Sequence, residues 1–392
     1  MPGPYQDATT VLVAYDELES YRSFLLKQPM LSVLAALVFA SVLYFEGNAI
    51  HRGYKAPFSG WSTTSLSRWQ FAVSAKHVIA DGYNNFKNQV FKLSGNDMLI
   101  VPAKFARELA DAPDTMVDAI KANTDNFQGV YSATAVLNQS SLHNYVIQRR
   151  LTPKLSHLVP IVCEELDYAI EQEFPDCEGE WSSQPGFELL IHLISRLASR
   201  LFVGPELCRN TEWLDTSRTY TESAFKTIVI LRCFPNWMKP VASFFLPWSW
   251  KVTLAHNKAR KTLVPLIEKR RVEKAAGTSE DGLKFTNLLQ LMDDDAVGKD
   301  RSPESLTDRT LVLTLASSHT TSMAACQALF ELCYRPEYIP ILREEIESAL
   351  KEDGGWHKTT LTKLKKLDSF IKEAQRFHPP SICELYSLFL EI

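Results

Sequence analysis

Ser302–Tyr334 reads SPESLTDRTLVLTLASSHTTSMAACQALFELCY, and Arg335-Pro336 follows it. The first three residues are a helix start: a capping serine, a proline at the first helical position and an acid in the first turn. Pro336 turns the residue before it away from helical geometry, so the segment predicts a helix over Pro303–Tyr334. At about 1.5 Å per residue that helix is roughly 48 Å long, enough to cross a whole domain. Its centre, Ala316-Ser317-Ser318-His319-Thr320-Thr321, is polar within an otherwise apolar run. Such groups are costly when buried unpaired. Ser and Thr hydroxyls can instead bond to carbonyls one turn earlier and open the helix locally. The pattern leaves two readings: a reaction centre inside a core helix, or a polar face that meets solvent.

Further along, Leu364–Pro380 reads LKKLDSFIKEAQRFHPP. Leu364, Leu367, Phe370, Ile371 and Ala374 share one helical face. Glu373 and Arg376 are i,i+3 neighbours that can pair, and Pro379-Pro380 ends the helix. By spacing alone this is a surface ion pair.

Upstream of the long helix, the chain from about residue 103 reads as helical without internal repeats. Glu280–Arg301, with Asp293-Asp294-Asp295, reads as a solvated acidic connector and not a metal site, because adjacent carboxylates are usually surface. Phe234–Trp250 is rich in proline and aromatics. It suits a membrane-facing or gating loop, or a packed helix–helix connection, and the pattern favours the packed connection. Residues 66–86 have helix-spaced apolar positions. Gln89–Leu93 and Met98–Pro102 read as a strand pair around Ser94-Gly95-Asn96. Lys55–Trp61 is a Pro/Gly-punctuated linker.

Met30–Phe45, MLSVLAALVFASVLYF, carries no charge. Its helix would be about 24 Å long against a hydrocarbon core of about 30 Å. Lys27 can snorkel at one end, with Tyr44 and Phe45 at the other interface. The segment is read as a membrane anchor, with a buried core helix as the other reading. A secretory signal is disfavoured by the long leader and by the lack of a small-residue cleavage site. Flanking charge leaves the orientation open. The organisation expected is a tail over 1–29, a transmembrane anchor over 30–45, a linker over 46–65 and one domain over 66–392.

Composition agrees with a folded, mainly α protein: 45% hydrophobic, 22% charged, Gly 15 and Pro 20 in 392 residues. A net charge of −4 gives no footprint for nucleic acid, so no nucleic-acid partner is expected. The seven cysteines are scattered and include no Cys-x-x-Cys, which points to a reducing compartment and away from disulfides or zinc. The sequon Asn138-Gln139-Ser140 would matter only in a lumen.

Taken together, the long helix, Glu373-x-x-Arg376 with Phe377-His378-Pro379-Pro380, and the intervening Pro336–Ile346 resemble the cytochrome P-450 family of haem-thiolate monooxygenases, in its membrane-anchored fungal form. Phe202–Asn210 and Gly82–Leu93 are also similar to fungal members. The resemblance implies a mainly α fold with small β elements and heme b as cofactor. It also implies NADPH-cytochrome reductase and membrane lipid as partners. The reaction implied is oxidation of a lipophilic, terpenoid-like secondary metabolite at the endoplasmic reticulum, with the catalytic domain in the cytosol.

Thr320 would be the hydroxyl that hydrogen-bonds dioxygen and routes protons. His319 stands where many members carry an acid, and a neutral imidazole can still relay a proton. Ser317 stands where the family has glycine, which makes helix opening less assured. Glu373 and Arg376 would be structural. Arg149 or Arg150 would meet a haem propionate, although the usual Trp-x-x-x-Arg is absent. None of the seven cysteines stands in the family's Phe-x-x-Gly-x-x-x-Cys-x-Gly motif, so the chain is expected to be a truncated enzyme without its thiolate ligand. The other class of reading is a membrane-anchored helical scaffold or pseudoenzyme.

Overall fold

The computed structural model describes residues 57–59, 66–93, 98–113, 116–174, 179, 182–277, 287–379 and 388–389. The expected tail and anchor lie outside these residues, as does most of the linker. Among the described residues, no helix is long and apolar enough to cross a membrane. The chain divides into two compact units, 1–107 with 233–235, and 108–232 with 236–392.

In the first unit, helix α1 (Leu66–Phe86) packs on a small sheet of β1 (Phe58–Ser59), β2 (Phe91–Leu93) and β3 (Leu99–Ile100). Strands β2 and β3 are the antiparallel pair expected from the sequence, with Phe91 opposite Ile100. Strand β1 pairs parallel to β2 and corrects the reading of residues 55–61 as linker alone. The Ser59 hydroxyl donates to the Val78 carbonyl at 2.8 Å and ties that strand to α1. Helix α1 kinks at Ser74, whose hydroxyl bonds back to the Gln70 carbonyl at 2.7 Å. Val78, Phe91 and Leu93 form the core. Gly82 lets the Phe91 ring approach, since a Cβ there would lie 2.3 Å from it.

The second unit is built of helices. They are α2 (Leu142–Val146), continuing into a π-helical turn over Ile147–Leu151, α3 (Leu155–Glu173), α4 (Gly186–Phe202) and α5 (Thr211–Arg232). Then follow α6 (Pro247–Ala275), α7 (Leu288–Asp295), α8 (Pro303–Tyr334), α9 (Tyr338–Asp353) and α10 (Lys365–Phe377). A two-residue pairing joins β4 (Val117–Asp118) to β5 (Leu388–Phe389), antiparallel. The core gathers Trp213, Tyr220 and Ala224 of α5, Ala259, Leu263 and Ile267 of α6, and Leu306 and Leu311 of α8.

Helix α8 has the limits expected from its sequence. The Ser302 hydroxyl accepts from the Ser305 amide at 3.1 Å, Pro303 follows, and the helix ends at Tyr334. The local opening that Ser317 made less assured does not occur at its centre. Hydroxyls of Ser317, Thr320 and Ser322 all bond back to carbonyls, at 3.3, 2.7 and 2.6 Å, yet α8 runs continuously. The back-bonds satisfy the hydroxyls without displacing the backbone ladder.

Two other expectations are corrected. The acidic connector contains α7, whose Leu288, Leu289, Leu291 and Met292 are fully buried. Each such side chain is worth about 1.5–3 kcal/mol in burial, which outweighs the polarity of the neighbouring residues. Its aspartates are also not merely solvated. Asp293 pairs with Arg271 at 2.5 Å, Asp294 with Lys274 at 2.6 Å, and Asp295 with Arg150 at 2.6 Å. In the aromatic stretch, residues 239–245 form a helical turn and Pro247 begins α6. Yet Trp237, Phe244, Phe245 and Trp250 are exposed, so the packed connection holds only in part.

Candidate active site along the long helix

Helix α8 has two different halves. In the first, Thr307, Arg309, Thr310, Leu311, Val312 and Thr314 are buried. Thr310 and Thr314 satisfy their hydroxyls on Leu306 and Thr310 carbonyls, at 2.8 and 2.9 Å. From Ala316 onward the helix is mixed: Ala316, Thr320, Thr321 and Met323 are exposed, while Ser318, Ser322 and Cys326 stay buried. Thr320 therefore sits on an open face, its hydroxyl donating to the Ala316 carbonyl and keeping lone pairs free.

His319, one residue earlier and about 100° around the helix, points elsewhere. Its ring stacks on Phe225 of α5, with centroids 5.7 Å apart at 28°. Its Nε2 is buried without a hydrogen-bond partner. Burial holds the imidazole below its ordinary pKa, against the opposing pull of Glu222 and the Thr221 backbone. His319 and Thr320 are thus adjacent in sequence but are not brought together as a donor pair.

Glu373 and Arg376 are paired twice, at 2.8 and 2.7 Å, and both are exposed. The guanidinium holds the carboxyl below its usual range. Glu345 of α9 positions α10 by accepting the Lys366 and Leu367 amides at 2.8 and 3.0 Å. Those amides lie in the first turn, where a helix lacks internal acceptors. At the other end, His378 Nε2 lies 3.0 Å from the Glu331 carboxylate of α8.

Arg149 and Arg150 lie in the π-helical turn, a geometry that recurs at functional sites. Arg150 is committed to Asp295, whereas Arg149 is exposed. Helix α2, which runs into that turn, is tied to α8 through a cluster that sequence reasoning missed. Arg309, with no exposed surface, reaches the Ser140 carbonyl at 3.2 Å, the Ser140 hydroxyl at 3.0 Å, His143 Nδ1 at 3.0 Å and Asp300 at 2.8 Å. His143 Nδ1 must accept, so its proton lies on Nε2. Burial and the Arg309 charge push its pKa down to about 4. The available signal was an arginine one residue before Thr310 and the apolar stretch Leu311–Leu313 of the same helix. Its partners, remote in sequence, were not readable. The hydroxyl that the Asn138 sequon needs is also engaged here.

Cys163, Cys208, Cys233, Cys326 and Cys333 are not in disulfides, and the described residues contain no metal-holding cluster of His, Cys, Asp and Glu. Burial raises the Cys163 and Cys326 thiols, and pushes Cys208 up to about 11. Cys177 and Cys383 lie outside the described residues.

A helical domain crossed by one long helix, largely buried at its start and open around a threonine, defines a mainly α protein. Residues 91–386 match the cytochrome P450 family model. Cytochrome P450 monooxygenase AN1598 of Emericella nidulans is 40% identical over 85% of this chain and 64% of its own length. Cytochrome P450 monooxygenase olcJ of Penicillium canescens is 37% identical over 94% of this chain and 71% of its own. An ent-kaurene oxidase of Gibberella intermedia is 38% identical over 83% and 60%. The chain thus spans about two thirds of the length of these relatives. The retinoic-acid-bound cyanobacterial CYP120A1 shares the fold, with a TM-score of 0.58 at 17% identity over 82% of this chain and 69% of that one. The chain belongs to the cytochrome P450 family.

That family implies a haem, and the described residues fit one side of it. The open face at Ala316 and Thr320 offers a small residue and a hydroxyl where a flat group can approach the helix.

Proposed function

We propose that this chain forms the oxygen-handling portion of a fungal-type monooxygenase that oxidises a lipophilic secondary metabolite, with electrons delivered from NADPH by a reductase. The observation that carries this reading is the open, continuous face of α8 at Ala316 and Thr320 in a chain of this family. When bound, a thiolate-ligated haem b supplies the activation of dioxygen. Thr320 supplies a hydroxyl already oriented by Ala316, able to accept or pass a proton at Oγ1. Arg149, exposed on its π turn, is the arginine free to meet a carboxylate such as a haem propionate. Arg150 is held by Asp295. Glu373 and Arg376 fix the end of α10 to itself and act structurally.

A terpenoid-like substrate fits with a relative named as an ent-kaurene oxidase. A membrane setting is supported by the apolar charge-free run at 30–45 and by exposed Trp237, Val241, Phe244, Phe245, Trp250 and Leu254. A second reading, a non-catalytic helical scaffold or pseudoenzyme, rests on the lack of the Phe-x-x-Gly-x-x-x-Cys-x-Gly pattern around any of the seven cysteines.

The test is the carbon-monoxide difference spectrum of the reduced chain in membranes, followed by Thr320→Ala. A red-shifted thiolate band supports the enzyme, and its absence with protein present favours the scaffold. In a loaded enzyme, Thr320→Ala should lower product formed per NADPH by about 10²-fold, in the range of a lost proton-transfer group.

A further inference from the structure

The imidazole of His319 is turned away from the open face that carries Thr320. It lies against α5, stacked on Phe225 and beside the Thr221 backbone. Its Nε2 has neither solvent nor partner. A proton carrier needs a path on both sides, and this nitrogen has none. A side chain that spans two helices, stacking on Phe225 and hydrogen-bonding to the Thr221 backbone, is instead placed to set the distance between them.

What that distance controls is visible on α5. Phe225 and Val229 are a turn apart on one face, and both are exposed at 50% and 42%. Met323, a turn beyond His319 on α8, is also exposed. Large apolar side chains exposed in a row beside a helix-to-helix contact form a surface whose width depends on that contact.

We infer that His319 is a positioning residue that latches α5 to α8 and sets where Phe225 stands beside the open face, and that it does not relay protons to Thr320. The substrate-size preference of this site then depends on His319, while proton delivery depends on Thr320. This rests on the reading that the open face of α8 receives the substrate.

Hydrogen exchange on the full chain, without haem or substrate, tests the latch directly. His319→Ala should speed exchange of the amides from Thr221 to Val229 by about fivefold, in line with loss of one aromatic pair. His319→Phe, which keeps a ring against Phe225, should restore wild-type exchange, and Thr320→Ala should leave it unchanged. Exchange at the wild-type rate in His319→Ala overturns the latch, whatever the chain catalyses. In enzyme loaded with haem and reductase, His319→Phe should retain the share of electrons that reach product rather than peroxide, and Thr320→Ala should lose it. Equal losses in both variants would make His319 a relay and defeat the inference. Failure of the proposed activity is read separately, by the absent carbon-monoxide band.

Discussion

Two of the arginine–carboxylate pairs in the second unit have similar length and opposite circumstance. Arg309 and Asp300 are 2.8 Å apart with side chains 0% and 14% exposed. Arg376 and Glu373 are 2.7 Å apart with side chains 63% and 56% exposed. The chemistry is the same, but the surroundings differ. Desolvated charges depend wholly on their partners, so removing one leaves an uncompensated ion. Exposed charges exchange one partner for water at little loss. Bond length therefore says little about what a pair contributes. Burial decides it.

This contrast fails first where it is strongest. Arg309→Ala strands Asp300 and removes the donors to Ser140 and His143, and should cost about 3–5 kcal/mol in urea unfolding. A loss under 1 kcal/mol would show that burial does not separate the two pairs. A pH series probes the same cluster. His143 is held near 4, below its ordinary 6.5, so the unfolded chain takes up the proton first as pH falls. The stabilising effect is complete above about 6.5 and is lost toward 4. The thermal midpoint should drop across that window, and His143→Asn should flatten part of the drop. Asp300 raises and Arg309 lowers the same pKa, so both must be intact in the comparison.

A smaller effect sharpens the clamp at the start of α8. Ser302→Ala removes the cap on Ser305 and should cost about 1 kcal/mol. The smallest is Glu373→Gln, which should leave the thermal midpoint of this chain where it is. A clear fall in midpoint would mean that the exposed pair does more than its surroundings indicate.

The sequence revealed those features whose cause is local. The Ser302-Pro303 start, the strand pair at 91–100 and the Glu373–Arg376 spacing are all set within a few residues, and each is found in place. What it hid depends on distant partners. Asp293-Asp294-Asp295 looked solvated because Arg271, Lys274 and Arg150 lie elsewhere in the chain. Arg309 drew no reading because Ser140 and His143 lie 169 and 166 residues away. For the candidate site, the motif around Thr320 was legible. The divergence of His319 was not, because Phe225, which receives it, is on another helix.

Helix α8 is mechanically a beam held at both ends. Its root, from Ser302 to Thr314, is held by a cap, by Arg309 and by buried packing, and its far end by buried Ser322 and Cys326 and by the Glu331–His378 contact, with open surface at Thr320 and Thr321 between. A group pressed against that surface loads both supports. Root and site are joined by one rigid rod, so a substitution at Arg309, about 16 Å along the axis from Thr320, can tilt the surface on which the chemistry depends.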